Sequence, residues 1–351
     1  MRKKILWAII TLCLSVLTII ALFYNGNLSL AELWQHIREA SLVWLLLAVL
    51  CMIGFIYSEG RSLVLILRTL GYPARKRRGF LYASADIYFS SITPSATGGQ
   101  PASAYFMHKD GISGSAVIVS LILNLTMYTL SIIVLGVVSL VFFPGIFFEF
   151  NMSCKIITLV GVFSVALLAT FFVMLLKNQS FLIRIFGIIV AVLNKLRFKS
   201  AARKIREKLR GTIKKYNECV EVLAGRKYLL LKTFLLNLLQ RTLHILVTVF
   251  CFYAMHGQLL DGLKIFTIQT YVVLGSCFIP VPGAIGISEY IMYYGYIMLL
   301  NDESSYTLAL LSRGISFYTC CIISIFTVII GYITLRLREK KGNARISEDV
   351  L

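Results

Sequence analysis

Five ionisable side chains lie deep within apolar runs of this 351-residue chain: Arg61, Asp86, Arg241, Glu289 and Arg313. An ionisable group at the centre of a membrane helix costs about 2.5 to 3.5 kcal/mol on insertion scales, so each needs an internal counter-charge or a ligand that visits it. Arginine grips a phosphate through bidentate, charge-assisted hydrogen bonds, and the exposed N–H groups of a broken helix end add positive potential beside it. Two stretches supply such ends. Ser91 to Tyr105 reads SITPSATGGQPASAY, and Cys277 to Tyr290 reads CFIPVPGAIGISEY. Pro94 and Pro101 cannot donate to a helix ladder, Gly98 and Gly99 favour open backbone, and Pro280, Pro282, Gly283 and Gly286 repeat the interruption. The turn Thr97-Gly98-Gly99-Gln100 has the look of an anion cradle, but it lacks the GxxxxGK[ST] pattern of a nucleotide loop. Thr97 and Gln100 equally suit capping of the two half-helices. Internal ion pairing, for instance of Glu59 or Asp86 with an arginine, is the competing reading of the buried charges.

Irregular backbone at membrane depth is tolerated only where protein or a water-filled cavity satisfies the freed polar groups. A pair of such breaks at matching places in two halves is the best sequence pointer to a transporter's site. The composition agrees with that setting: 58% hydrophobic, 15% charged, and a mean hydropathy of +0.82. These values exclude an ordinary soluble domain and indicate an all-α polytopic membrane protein. The net charge of +19 comes from Lys and Arg in short loops between apolar runs, which is positive-inside topology and not a nucleic-acid surface. The eight cysteines form no CxxC and the four histidines no HExxH, so neither a disulfide framework nor a zinc site is expected, and no cofactor.

Along the chain, Ile5 to Tyr24 is a first span retained after Met-Arg-Lys-Lys, and Leu28 to Ala40 is an amphipathic helix on the outer surface. Leu42 to Leu67 spans back towards the basic loop Arg68 to Arg78. Gly79 to Thr93 and Ala102 to Met107, with the break between them, are each too short to cross and form a re-entrant hairpin. Ser115 to Phe143 and Lys155 to Leu176 cross, and a basic segment, 177–232, follows. Within it 194–227 reads as an amphipathic helix suited to anionic lipid headgroups, with a solvated connector as the alternative. Tyr228 to Met255 crosses. Leu263 to Ile279 and Ile285 to Leu300 form the second hairpin, and Tyr306 to Leu335 is the last span. On this reading 29 of the 35 Lys and Arg lie on one side, which places both termini in the cytoplasm. The expectation is six full spans plus two re-entrant broken-helix hairpins in a single domain, 1–340, with a tail at 341–351. Its halves, about 1–150 and 151–340, are inverted-topology repeats, because three crossings is an odd number.

The pair PSATGGQP (94 to 101) and PVPGAIGISE (280 to 289), followed by Arg313 in SRGISFY, resembles the flippase-like transmembrane domain family, which includes the membrane part of bacterial lysylphosphatidylglycerol synthase, the multiple peptide resistance factor. The resemblance covers essentially the whole chain. It implies movement of aminoacylated phospholipid across the bacterial cytoplasmic membrane, and it extends a functional role to Pro94, Gly98, Gly99, Gln100, Pro280, Pro282, Gly283, Gly286, Glu289 and Arg313. Ala284 departs from the pattern, where another glycine is common, and its methyl would narrow a close helix approach. The synthase of that family uses a soluble acyltransferase domain, and about sixteen residues follow the last span here, so no lysyltransferase activity is expected. A lipid flippase or scramblase is therefore the leading expectation, with a membrane phospholipid as partner. The alternative is a scaffold or accessory protein of lipid or cell-envelope synthesis, as a homo-oligomer or beside a separate synthase.

Overall fold

A computed structural model describes residues 38–93, 96–178, 213–277, 279 and 281–348, with isolated positions between 181 and 191. The expected first span, the start of the surface helix at 28–37, most of the 194–227 helix, Pro94 and Pro280 lie outside the described residues. Among the described residues, five helices are long and apolar enough to cross a membrane: α1 (Leu42–Thr69), α4 (Gly114–Phe142), α6 (Met152–Lys177), α7 (Lys227–Ala254) and a composite helix from Asp302 onward. At 1.5 Å per residue, the 28 residues of α1 reach about 42 Å, more than the roughly 30 Å of hydrocarbon. No strand occurs among the described residues. The chain is an all-α polytopic membrane protein.

Each proline-glycine stretch divides a helix pair. In the first, α2 (Lys76–Ser91) turns into α3 (Gly99–Lys109); in the second, α8 (Gly262–Ser276) turns into α9 (Ile287–Tyr296). Arms of 16, 11, 15 and 10 residues reach only about 24 Å at most. The two arms of each pair pack on one another. A short helix, α5 (Pro144–Glu149), links α4 to α6, and Asn151 caps α6 by accepting from the Cys154 N–H at 2.8 Å. The composite last helix comprises α10 (Asp302–Arg313), a π-helical turn over Gly314–Thr319, and α11 (Cys320–Glu348). Element order after the undescribed N-terminus is thus span, hairpin, span, then span, span, hairpin, span.

The central pair is α1 against α7. Glu59 meets Gln240, Ser62 meets Asn237, Phe55 meets His244 and Trp44 meets Tyr253, so partner numbers rise on one helix as they fall on the other. The helices preceding the two hairpins therefore run antiparallel, as inverted halves require. Burial sets the phase of α1. Leu42, Leu46, Leu50, Ile53 and Tyr57 are exposed at helical spacing, while Met52, Phe55, Ile56, Glu59 and Leu63 turn inward. In lipid the exposed apolar face costs nothing, so inward polar groups distinguish the faces. Three of them pin the bundle: Ser62 Oγ donates to Asn124 Oδ1 at 2.6 Å, and Asn237 Nδ2 donates to Asn124 Oδ1 and to Ser62 Oγ, each at 3.1 Å. Asn124 and Asn237 thus join α1, α4 and α7 in the way polar residues bind membrane helices to each other.

Hairpin one is docked by backbone contact. A Cβ on Gly60 of α1 would stand 2.5 Å from the carbonyl of Gly79 in α2, where backbone and not a flexible side chain must yield. Gly60→Ala is expected to cost about 1 to 3 kcal/mol, the usual range for overpacking, measured as a lowered unfolding temperature in detergent. At its basic-loop end the hairpin is tied by Arg78 to Asp110 at 3.1 Å and by Tyr82 Oη donating to Asp110 Oδ2 at 2.6 Å. Part of the basic segment is also docked. Over 213–224, Ile213, Tyr216 and Leu223 are buried in a cluster with Ile66, Val119 and Leu175, while Lys214 and Lys215 stay exposed. Tyr216 Oη donates to the Leu175 carbonyl at 3.2 Å. The apolar face of this described portion therefore rests on protein.

Candidate functional site

The two hairpin turns meet. Ala96 and Gln100 from the first, and Val281, Gly283 and Ala284 from the second, line a single cavity of about 570 Å³. Residues of α2 also touch the Pro282–Ala284 turn directly. The walls are completed by Phe55 and Glu59 of α1, Asp86 and Ser90 of α2, Asn124 and Tyr128 of α4, Arg241 and His244 of α7, and Phe317 and Cys320 after α10. Leu168 and Phe172 of α6 close one side, from a helix whose other faces are largely exposed.

Arg241 is 7% exposed, yet among the described residues its guanidinium has no hydrogen bond and no carboxylate within ion-pair distance. It is held instead between two rings, with its carbon 4.9 Å from the Phe55 centroid and 4.1 Å from that of Tyr128. Cation–π contacts of this kind stabilise a guanidinium without occupying its five donors. Glu59 and Asp86 line the same cavity and act on it electrostatically. Gln240 Nε2 donates to Glu59 Oε2 at 2.8 Å, Gln100 Nε2 donates to Asp86 Oδ2 at 2.5 Å, and Ser90 Oγ donates to Asp86 Oδ1 at 3.1 Å.

Gln100 is therefore engaged with Asp86, and the backbone cap in this turn is Thr93, whose Oγ1 accepts from the Gly98 N–H at 2.9 Å. Gly99 packs so closely that a Cβ there would run into Asp86 Oδ1 and Ser90 Oγ. The glycine keeps α3 near enough for Gln100 to reach across. Pro101 falls in the first turn of α3, where its missing N–H leaves no bond unmade. Thr97 lies in the turn itself, exposed.

In the second hairpin the charges are paired. Arg313 Nε donates to Glu289 Oε1 at 2.6 Å, and its second amino group donates to the Gly283 carbonyl at 2.8 Å. Glu289 Oε2 accepts from the Gly286 N–H at 2.7 Å and from Ser288 Oγ at 3.0 Å, so a side chain in the first turn of α9 reaches back to cap the N–H that precedes it. Phe317 sits 4.7 Å from the Arg313 guanidinium carbon, and its ring is packed where a Cβ on Gly283 would fall. Gly283 (φ 63°) and Gly286 (φ 92°) occupy backbone regions that favour glycine. Pro282 opens the 3₁₀ turn. Ala284 shares the left-handed region at φ 50° and lines the cavity, so the departure from glycine there carries a methyl at a position costing an L-residue about 1 to 2 kcal/mol.

The cavity thus gathers Asp86, Gln100, Gly283 and Arg241 from the residues the sequence singled out, with Gly98, Gly99, Gly286, Glu289 and Arg313 shaping the turns behind it. Arg61 is not among the lining residues; Glu59, two positions earlier on α1, faces the cavity in its place. Phe55, Tyr128 and His244 carried no distinguishing signal, since aromatic residues are abundant in every span.

Among the described residues no group of three or more His, Cys, Asp or Glu side chains could hold a metal ion. A family model described as the lysylphosphatidylglycerol synthase TM region matches residues 7–324. Searches of curated proteins and of solved structures return no match.

Proposed function

The chain belongs to the family of lysylphosphatidylglycerol synthase TM regions, which gives it a membrane-lipid-related role, and from that premise we propose that it moves phospholipid headgroups across the bilayer as a flippase or scramblase. The reading rests on Arg241. A nearly buried guanidinium with aromatic rings on both sides and no acceptor of its own has the chemistry of a phosphate receptor, and it faces a cavity bounded by both hairpin turns. The phosphodiester shared by glycerophospholipids would occupy the open donors of Arg241, while the acyl chains remain in lipid. Each hairpin would act as a gate. Displacement of the Ala96 turn opens the chamber towards one leaflet, and displacement of the Gly283 turn opens it towards the other, which is alternating access by two inverted halves. In this reading the chain transports lipid and does not synthesise it, and it lies in a bacterial cytoplasmic membrane with both termini inside. Aminoacylated phosphatidylglycerol is the first lipid to test.

The decisive experiment reconstitutes the protein in liposomes with fluorescent phosphatidylglycerol, phosphatidylethanolamine or aminoacylated phosphatidylglycerol and follows chemical quenching of the outer-leaflet label. Quenching of the inner-leaflet pool at rates well above empty vesicles is the expected result. Rates equal to empty vesicles for every lipid class would refute transport.

A further inference from the structure

The composite last helix belongs to both hairpins. Its first part, α10, packs on α9, and Arg313 at its end holds Glu289 and the Gly283 carbonyl. Its last part, α11, lies along α2: a Cβ on Gly331 would strike the Leu81 side chain, and Leu335 is buried in one cluster with Leu81 and Phe106 of the first hairpin. Between the two parts lies the π-helical turn Gly314–Thr319, bridged end to end by Thr319 Oγ1 donating to the Gly314 carbonyl at 2.9 Å. A turn closed by i→i−5 bonds holds about one residue more than an α-helical turn, and such turns recur at functional sites. Close packing at its entry does not require it, since a Cβ on Gly314 would meet no atom within 4 Å. The turn does shape the cavity. Ser316 and Phe317 within it and Cys320 just after it line the chamber, and the Phe317 ring fills the space beside Gly283.

We infer that Phe317 is a positioning residue that holds the second hairpin turn shut, and that the π turn is the joint that withdraws it. This rests on the transport reading above and names the part that works one gate. Slipping of the turn from i→i−5 to i→i−4 bonds on one side moves the extra residue along the helix. Every backbone N–H keeps an acceptor in that exchange, so no buried hydrogen bond is left unmade. One residue spans about 100° of an α-helix, so Phe317 turns by some part of that angle and its ring leaves Gly283. Arg313 before the joint and α11 after it keep their faces. The latch can therefore release while the Arg313–Glu289 contact and the docking of α11 on α2 stay intact, which an unbroken α-helix held at both ends would not allow.

Amide hydrogen exchange of the full-length protein in lipid nanodiscs tests both parts, read on the hairpin turn, 281–287, and on the joint, 314–320. Phe317→Ala removes the ring and leaves the joint, so exchange in the hairpin turn should rise about tenfold or more with the joint unchanged. Deletion of Tyr318, which is half-buried, takes out the extra residue and keeps Phe317 in the chain. Regular α-helix should then replace the π turn: exchange rises at 281–287 and falls at 314–320, and the unfolding temperature is no lower than that of the wild type. A turn that served packing alone would instead loosen at both places and lower the unfolding temperature. Unchanged exchange at 281–287 in Phe317→Ala overturns the latch. A deletion variant that fails to fold, or that loosens hairpin turn and joint together, overturns the joint. Vesicle assays on the same proteins separate this from the transport reading. Phe317→Ala should move lipid severalfold faster than a transporting wild type, and a rate at or below the wild-type rate overturns the latch. If the wild type moves no lipid while exchange behaves as stated, transport falls and the latch stands.

Discussion

Arg241→Ala should lower lipid movement in reconstituted vesicles by roughly a hundredfold or more, because truncating one side of a buried charge-assisted contact costs about 2 to 5 kcal/mol. The variant should still fold. Among the described residues Arg241 donates no hydrogen bond, so its removal strands no acceptor; what is lost is stacking on Phe55 and Tyr128 and the charge facing Glu59 and Asp86. Each cation–π contact is worth about 0.5 to 2 kcal/mol. Arg241→Lys separates charge from geometry. Lysine restores a cation but has neither the planar fork nor the flat face that rests between two rings, so an intermediate rate is expected. Wild-type rates for Arg241→Ala, with a normal unfolding temperature, would remove the basis for placing the headgroup at this residue.

The contrast between the arginines shows where sequence reasoning ends. The interrupted helices were legible because proline and glycine act locally: a missing N–H or a left-handed residue ends a helix whatever surrounds it. The antiparallel setting of α1 and α7 was legible from counting crossings, and the π-helical turn at Gly314–Thr319 was not, because no residue there forbids ordinary helix. Deep charges could be found but not assigned. Arg61 and Glu59 are two residues apart and so point to different sides of α1, and only packing against α7 decides that Glu59 faces the cavity. Arg241 and Arg313 look alike in sequence, each a cation in an apolar span. One meets rings and an open chamber; the other meets a carboxylate fixed by the Gly286 N–H three residues before it. That distinction depends on a carboxylate 24 residues away for Arg313 and on the rings of Phe55 and Tyr128 for Arg241.

The role of the second charge pair is open to an equally direct test. Glu289 and Arg313 have side chains only 4% and 12% exposed, and between them they hold the Gly283 carbonyl, the Gly286 N–H and the start of α9. Glu289→Gln leaves the Arg313 charge without a counter-ion, and Arg313→Met leaves both the Glu289 charge and the Gly283 carbonyl without their donor. Removing one partner of a buried pair costs about 3 to 5 kcal/mol, whereas replacing both by uncharged groups of similar volume is often close to neutral. Each single variant should therefore unfold at a markedly lower temperature in detergent, and the double variant should recover much of the loss, giving a coupling energy well above the scatter of independent sites. Lipid movement should follow stability, since the pair fixes the shape of the Gly283 turn from behind the cavity. If instead both single variants melt like the wild type and yet move no lipid, the pair acts on the headgroup itself. The second hairpin would then be held by Phe317 packing on Gly283 and by the Tyr296 hydroxyl donating to Gln269 at 2.7 Å, without help from its charges.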